Sequence, residues 1–441
     1  MQAPTFTGLH GQASSGLPVD PHATLSKYLP EGAAYFYGFP SGNGSDFFNN
    51  VPSWVEELVS ARTLVCAGLG IRPVVFEAAS TPQIRHWLEQ ECGVALTKEE
   101  DCIQFPAALN DELSGSARNE AVKHVLRDTV PEGKLFMAQP FLDGEVNHLF
   151  HLDPKLSAQF NDKTNLGTYI PEAYLPARYV SFDNGAAFAS ATISVPFPCV
   201  VKVASSSAGD GVRICRSVED VQAAKETFKG VIDGIFIEEF VEAVENYCIQ
   251  FGIPFNAEEP IEIIGYNHQV ITDVGEFLGS VVCPPHVIAN PLLYDIFRIV
   301  TTEILPSVRK AGWYGVGGLD VLISTSGKPY FIDPNFRQTA TFGLVSLSRR
   351  GLIPKKAVGF IGTFTGSEEA FAKVFAYTNP KSSHHLLQMI SMSRKGDLYR
   401  FNAGLLYENQ EELVENVRLL KSIGIEGKVI DLILEGHVSG L

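Results

Sequence analysis

The chain has 441 residues, with 34 Lys and Arg against 50 Asp and Glu, for a formal charge of −16. That length implies about two to four folding units. The acidic balance excludes general attraction to nucleic acid or anionic lipid, but not a local basic pocket for phosphates. The seven cysteines include no C-x-x-C pair, so neither a disulfide framework nor a zinc site is expected. They read as small core residues of a reducing compartment. Residues 1–10 lack a basic n-region and an apolar h-region, and no apolar run reaches the length of a membrane span. The expected location is cytoplasmic, with no nucleic-acid or membrane partner.

Residues 1 to about 45 are rich in Gly, Pro and Ser, and Gly38 to Gly44 suits a loop. A helical pattern follows near Trp54 to Ala61. Arg62 to Leu69 and Arg72 to Glu77 read as short buried strands, and Pro82 opens a helix to Glu91 with Thr81 as its cap. Strands alternating with helices predict an α/β domain over 1–157. Asn161 to Tyr179 reads as a helix–loop–strand transition. Pro198 to Val203 is a strand, followed by a Ser/Gly loop and a second strand, Val212 to Cys215. Ser217 caps a helix carrying Glu219 and Asp220 in its first turn and ended by Gly234. Ile235 to Val241 is the next strand, and strand-like runs follow at Glu245 to Phe251, Ile261 to Tyr266 and Gln269 to Thr272. Asn290 to Ala311 is largely helical. Leu319 to Ser324 and Pro329 to Ile332 pair as a hairpin across Thr325-Ser326-Gly327-Lys328. The character changes from about 346. Asp397 to Tyr407 suits strands, and Asn409 to Ser422 is an amphipathic helix with Leu413, Val417 and Leu420 on one face. That stretch, 346–441, reads as a separate C-terminal unit.

The chemistry concentrates in the hairpin. Asp320 sits in an apolar strand and Asp333 closes the partner strand, so pairing can bring both carboxylates onto one patch. Asn335 adds an amide oxygen, and oxygen donors of this kind suit Mg²⁺ shared with nucleotide phosphates. Arg337 follows at the same alternation, with a planar fork suited to phosphate or carboxylate. Taken alone, the same residues also suit a hairpin ended by polar turn residues, with Arg337 neutralising Asp333. Lys202 lies in an apolar strand, where an unpaired ammonium is disfavoured. The loop after it, Ser205-Ser206-Ser207-Ala208-Gly209-Asp210-Gly211, supplies backbone N–H groups that can close over phosphate. It lacks both the P-loop and the Rossmann spacing. Ile237-Glu238-Glu239-Phe240-Val241 offers a strand edge for a purine, with Glu245 in range of ribose hydroxyls, although an exposed strand with solvated acids fits equally. Lys163, after Asn161-Asp162, reads alone as an exposed lysine at a helix start. His268, His286 and the pair His384-His385 read as structural or surface residues.

In order and spacing together, Lys163, Lys202 with its loop, E-E-F-V and D-V…D-P-N-F-R resemble the ATP-grasp family over roughly 158–345. The resemblance implies an α/β fold of the ATP-grasp type: an N-terminal pre-ATP-grasp domain (1–157), a two-lobed core (158–345) and a small C-terminal domain (346–441). It implies that Lys163 and Lys202 contact ATP phosphates and that Ser205, Ser206, Ser207, Gly209 and Gly211 belong to a loop closing over them. By the same likeness, the Glu238, Glu239, Phe240 and Val241 segment holds adenine and Glu245 holds ribose. Asp320, Asp333 and Asn335 match the Mg²⁺ ligands, with Mn²⁺ as an alternative ion, and Arg337 matches the arginine that binds the phosphorylated carboxylate. Asp333 replaces the usual Glu. Gly318 stands where D-alanine–D-alanine ligases carry Arg, which speaks against a close relative of that ligase. Biotin carboxylase matches poorly outside the core. The layout and the D-P-N-F-R ending are similar to pheganomycin-type peptide ligases. The implied activity is ATP- and Mg²⁺-dependent joining of a small carboxylate to an amine, such as an amino acid or short peptide, with ADP and phosphate released. Arg337 and Lys202 are the catalytic candidates; the oligomeric state is not readable from the sequence, although ATP-grasp ligases are often homodimers. The alternatives are a carboxylate–thiol ligase, a carboxylase-type enzyme, or an inactive nucleotide-binding regulatory protein. The absence of a biotinyl-lysine A-M-K-M motif weighs against a self-contained carboxylase.

Overall fold

The computed structural model describes residues 16–38, 53–106, 109, 115–206, 209–271 and 277–436. The α/β class expected from the sequence is present, as three sheets with helices packed on them among the described residues. None of those helices is long and apolar enough to cross a membrane.

The first sheet holds β1 (Ala34–Phe36), β2 (Arg72–Phe76), β3 (Ile103–Phe105) and β4 (Leu135–Met137). All pair in parallel, in the order β3-β2-β1-β4. Their short apolar runs are largely buried, as a sheet covered on both faces requires. The helix Gly115–Thr129 lays Val122 and Leu126 against Ile103 and Phe105. Strand order reverses between β1 and β4, so their carboxyl ends open a crevice.

The second sheet holds β5 (Arg178–Phe182), β6 (Cys199–Val203), β7 (Val212–Cys215) and β8 (Ile235–Glu239), antiparallel in the order β5-β8-β6-β7. The helix Val218–Phe228 covers one face. Ser217 accepts from the Asp220 N–H, and the Asp220 carboxylate accepts from the Ser217 N–H, a reciprocal capping box.

The third sheet is antiparallel throughout. Its strands are β9 (Ala243–Ile253), β10 (Glu262–Ile271), β11 (Phe277–Val282), β12 (Gly315–Ser324), β13 (Pro329–Asn335), β14 (Lys356–Thr365), β15 (Leu387–Lys395) and β16 (Leu398–Tyr407). The order is β13-β12-β9-β10-β11-β14-β16-β15. Period-2 alternation sorts the two faces. Tyr247, Ile249 and Phe251 of β9 and Leu319, Val321 and Ile323 of β12 face the helical stretch 292–310. Cys248, Gln250 and Asp320 therefore face the other way. On that second face the helix Phe342–Arg349 crosses close to the backbone. A side chain at Gly404 would bring a Cβ within 2.6 Å of Leu344, and one at Gly265 within 2.6 Å of Val345.

Several local expectations change. Arg62 to Leu69 is not a strand: Thr63–Cys66 is a short helix continuing from Ser53–Ala61, because no turn residue separates the two. The runs at 261–266 and 269–272 belong to one strand, β10, since Asn267 and His268 find side-chain partners within the sheet. Thr272 itself lies outside the described residues. The helix capped by Ser217 ends at Phe228, where the Val231 N–H bonds back to the Phe228 carbonyl, and not at Gly234. Strands β14 and β15 had no sequence assignment. Because β11 pairs with β14, the stretch 346–441 extends the sheet that carries Asp320 and Asp333.

This continuity predicts that Gly404→Val, by overpacking Leu344, destabilises the protein by about 1–3 kcal/mol. Urea unfolding followed by fluorescence should show a single transition at lower denaturant. An unchanged midpoint would refute the close approach of helix and sheet.

Candidate active site

The site forms where the second sheet faces the β12–β13 hairpin. Asp320 pairs directly with Asp333, and Gly318 with Asn335. Two carboxylates facing each other in a half-buried place favour nearby cations. Lys163, itself 2% exposed, supplies one: its Nζ is 3.1 Å from Asp333 Oδ1 and donates to the Ser206 carbonyl at 3.0 Å. Its backbone is pinned by the Ala204 carbonyl at 3.0 Å, and Arg178 donates to the Lys163 carbonyl at 3.1 Å. The expectation of an exposed lysine at Lys163 is thus reversed. Lys202, on β6, is also buried. It meets Glu238 Oε1 at 2.6 Å and donates to the Ile332 carbonyl at 3.0 Å, so a second lysine reaches β13.

Asp320 is half-buried, and its Oδ1 is enclosed without a hydrogen-bond partner. Burial first, and then the facing Asp333 carboxylate, push the Asp320 carboxyl up to about 6, against hydrogen bonds from Gln269 and Cys248. An orphaned carboxylate oxygen beside a second carboxylate fits a hard divalent cation. Among the described residues no cluster of three or more His, Cys, Asp and Glu side chains forms a metal cage. Asp320 and Asp333 would therefore supply part of a shell that phosphate oxygens and water complete, as Mg²⁺ prefers. Asn335 stands beside them, but its Oδ1 already accepts from Arg337 Nη1 at 2.6 Å. That contact fixes the guanidinium and leaves Asn335 one free lone pair. Arg337 Nε is enclosed without a partner.

The remaining candidates lie around this centre. Gly209 has φ +84°, and the Val203 N–H donates to the Gly211 carbonyl at 2.8 Å, which closes the β6–β7 turn. Ser205 and Ser206 are half-buried. Ser207 lies outside the described residues. Glu239 and Phe240 are half-buried and Val241 is buried at the end of β8. The Glu239 N–H donates to the Ala177 carbonyl at 2.8 Å. Glu238 points into the lysine cluster, which corrects the reading of solvated acids there. Glu245 is 3.2 Å from His268 Nε2. Burial lowers the His268 imidazole below its ordinary value, against the opposing pull of Glu245.

Sequence reasoning missed a buried polar row on the same face. Gln250 donates to Thr339 Oγ1 at 2.7 Å and to Asn267 Oδ1 at 3.1 Å, and Asn267 donates to Ser280 Oγ at 3.0 Å. The Gln338 N–H donates to Tyr35 OH at 3.0 Å, and the Phe336 N–H to Asn161 Oδ1 at 2.9 Å. These bonds set the backbone on both sides of Arg337. The available signal was polar residues two apart in apolar strands: Cys248 and Gln250, Asn267 and Gln269.

Comparison with known proteins agrees with this geometry. Residues 179–335 match the sequence model of the family described as L-aspartate–L-methionine ligase, ATP grasp. Formate-dependent phosphoribosylglycinamide formyltransferase of Bacillus subtilis is 28% identical over 172 residues, 37% of this chain and 41% of that protein. The match thus spans about two fifths of that curated relative. The structure of biotin carboxylase from Campylobacter jejuni, a β-γ-ATP complex, superimposes with TM-score 0.54 at 12% identity, over 92% of this chain and 95% of that one. An ADP complex of N5-carboxyaminoimidazole ribonucleotide synthetase gives TM-score 0.53 at 14% identity, over 90% and 98%. At such identities the likeness is one of fold, and for biotin carboxylase it extends well beyond the core motifs.

The raised pKa of Asp320 has a defined consequence without metal. Below about pH 4 the acid is neutral folded and unfolded, and it costs nothing. Between about 4 and 6 the unfolded chain ionises first, so stability falls as pH rises and then levels off. Asp320→Asn should therefore stabilise the metal-free protein above pH 6, by on the order of 2 kcal/mol, and change little at pH 4. Thermal melts across pH test this, and parallel curves for the two proteins would refute it. Mg²⁺ should raise the Tm of the wild type and not of the variant.

With a paired-carboxylate hairpin, two inward lysines and a family match over 179–335, the chain has a fold of the ATP-grasp type, and its segment 179–335 is similar to an ATP-grasp ligase family.

Proposed function

We propose that the chain is an ATP- and Mg²⁺-dependent carboxylate–amine ligase that joins an amino acid or short peptide to an amine, releasing ADP and phosphate. The observation that carries this reading is the convergence of Lys163 and Lys202, from separate segments, on β13 beside Asp333. Cations held at a carboxylate pair suit triphosphate and metal together better than either alone.

Mg²⁺ (or Mn²⁺), when bound at Asp320 and Asp333, would supply neutralisation of the charge on the transferring phosphoryl group. Lys163 and Lys202 would exchange their present partners for phosphate oxygens and orient the γ-phosphoryl. Glu239 to Val241 would border the adenine, with Glu245 toward the ribose. A substrate carboxylate oxygen would attack the γ-phosphorus, and the bond to ADP would break. The amine nitrogen would then attack the acyl carbon of the acyl phosphate and lose its proton as phosphate departs. Arg337 would hold the carboxylate in line and stabilise the oxyanion of that second step. The β6–β7 turn would close to keep water from the acyl phosphate. The proposed setting is cytoplasmic, supported by seven free cysteines.

A screen of ADP release across amino acids, dipeptides, bicarbonate and thiols tests the assignment. A product mass equal to acid plus amine minus water is expected. ADP release driven by bicarbonate or thiol alone would replace the reading. Arg337→Ala should lower turnover by roughly 10²–10³-fold while nucleotide binding survives. Full activity in that variant would remove Arg337 from the chemistry.

A further inference from the structure

Where the first sheet meets the start of β12, the Tyr314 hydroxyl is hydrogen-bonded to His151 Nδ1. The backbone places His151: Phe150 bridges to Leu135 in parallel, and the His151 N–H donates to the Leu135 carbonyl at 3.1 Å. Its imidazole stacks on Phe136 at 5.4 Å and stands edge-on to Phe255 at 5.5 Å and to Tyr314 at 5.6 Å. Tyr314 in turn crosses Phe136 at 5.8 Å. Rings from three separate segments thus hold one imidazole, more than a surface histidine needs. Both members of the pair are only half-buried, so a proton has a way out to solvent.

Tyr314 also lines a small cavity, together with Ser157 and Arg337. The cavity has about 30 Å³ of water-sized space, room for about two waters at roughly 10–15 Å³ each. Asn335 pairs with Gly318, and Tyr314 immediately precedes β12, so Arg337 and Tyr314 share the end of the hairpin away from its turn. The guanidinium read above as holding the substrate carboxylate therefore borders the same wet space as the Tyr314–His151 pair.

Amide synthesis at Arg337 needs a proton acceptor close by. A peptide α-amino group has a pKa of about 7.7–8.0, so at pH 7 it is mainly an ammonium with no lone pair. It must lose one proton before attack, and the second leaves with phosphate. The other titratable groups at the site are taken: Lys163 and Lys202 are cations, Glu238 is bound to Lys202, and Asp320 and Asp333 face the metal position. His151 is suited to the task. Burial lowers its imidazole below the ordinary value, with Lys134 adding to this against one backbone contact, so the ring is neutral at pH 7. With Tyr314 donating, Nδ1 accepts and the ring proton sits on Nε2. The titratable and charged groups facing His151 are Tyr314 and, at longer range, Lys134, and no carboxylate acts on it.

We infer that the Tyr314–His151 pair is the proton acceptor that readies the amine substrate for attack. The inference rests on the carboxylate–amine ligase reading and adds to it the group that removes the first proton. The ammonium N–H gives its proton to the Tyr314 hydroxyl oxygen, directly or through a cavity water, as the Tyr314 proton passes to His151 Nδ1. The amine is left with its lone pair, Tyr314 is neutral again, and the imidazolium returns its proton to bulk water on its half-exposed side. A positioned acceptor of this kind contributes about 10²–10⁴-fold to rate.

Hydroxylamine is largely unprotonated at neutral pH, so it attacks an acyl phosphate without help from a base, whereas an amino-acid amide must first lose a proton. Full-length protein with MgATP is given the proteinogenic amino acids as acids, with either hydroxylamine or amino-acid amides as the amine. Tyr314→Phe and His151→Gln should each slow amide formation at pH 7 by about 10²-fold, while hydroxamate formation stays within about threefold and the KM for ATP holds. Raising the pH supplies free amine, so the deficit should shrink by about tenfold per pH unit up to the pKa of the amine. A packing role alone would lower both products together. Equal losses of amide and hydroxamate, or a deficit undiminished at about pH 9, overturn the inference and leave the ligase reading intact. Absence of both products with every acid removes the ligase reading, and this role for the pair with it.

Discussion

Two carboxylates placed face to face inside a sheet are the constraint around which the molecule is built. The hairpin register puts Asp320 opposite Asp333, and desolvation, with the facing carboxylate second, pushes the Asp320 carboxyl up to about 6. A sheet interior does not tolerate such a pair unless cations are supplied. The chain brings them from outside the sheet. Lys163 comes from the 3₁₀ turn Lys163–Thr168, after the helix Pro154–Asn161, and Lys202 comes from the second sheet. The electrostatic need thus doubles as an assembly rule, because satisfying Asp333 docks one segment and reaching Ile332 docks another. The same contacts are replaceable. A triphosphate with its metal presents the same alternation of charge, so ligand entry would exchange ion pairs without leaving a charge bare.

The third sheet separates stability from chemistry by alternation. One face of β9 and β12 carries Tyr247, Ile249, Phe251, Leu319, Val321 and Ile323, packed under helices. The other carries Asp320, Cys248, Gln250 and, on β10, Asn267 and Gln269. Gln250 and Asn267 on that second face are satisfied laterally, through Thr339, Ser280 and Thr341, whereas Asp320 Oδ1 is left without a partner. A connected row such as that of Gln250, Asn267, Ser280 and Thr339 is stiff. It holds the segment after Phe336, where Arg337 sits, against the sheet that holds the carboxylates.

Much of this was legible in the sequence where local rules operate. Ser217 announced its helix cap, Thr325 to Lys328 announced the hairpin, and Leu413, Val417 and Leu420 announced a helix face that is buried as expected. The acids at Asp320 and Asp333 were readable because charge in an apolar strand is costly. Legibility failed where long-range partners decide. Arg62 to Leu69 is apolar enough for either structure, and the absence of a break after Ala61 made it helical. Asn267 and His268 looked like a turn because their partners, Ser280 and Glu245, lie on other strands. Strands β14 and β15 gave weak signals because both join a sheet begun more than 100 residues earlier in the chain. Lys163 looked exposed for the same reason: its acid is 170 positions away in sequence and one salt bridge away in space.

Arg337 is where these threads meet, and its surroundings say why its position is defined so closely. Asn335 holds the guanidinium, Asn161 holds the N–H of Phe336, and Tyr35 holds the N–H of Gln338. Those three partners come from β13, from the helix preceding Lys163 and from β1. Each major part of the chain except the second sheet thus fixes one bond of a three-residue segment. A surface arginine would need none of this, and an arginine serving only to neutralise Asp333 would face it directly. Instead the acid is neutralised by Lys163, and the enclosed Nε of Arg337 remains without an acceptor. The fold keeps that guanidinium in reserve, oriented by Asn335 and partly unsatisfied, two residues beyond the end of the carboxylate-bearing hairpin. A guanidinium so placed has a donor to spare for a ligand oxygen that arrives at the carboxylate pair.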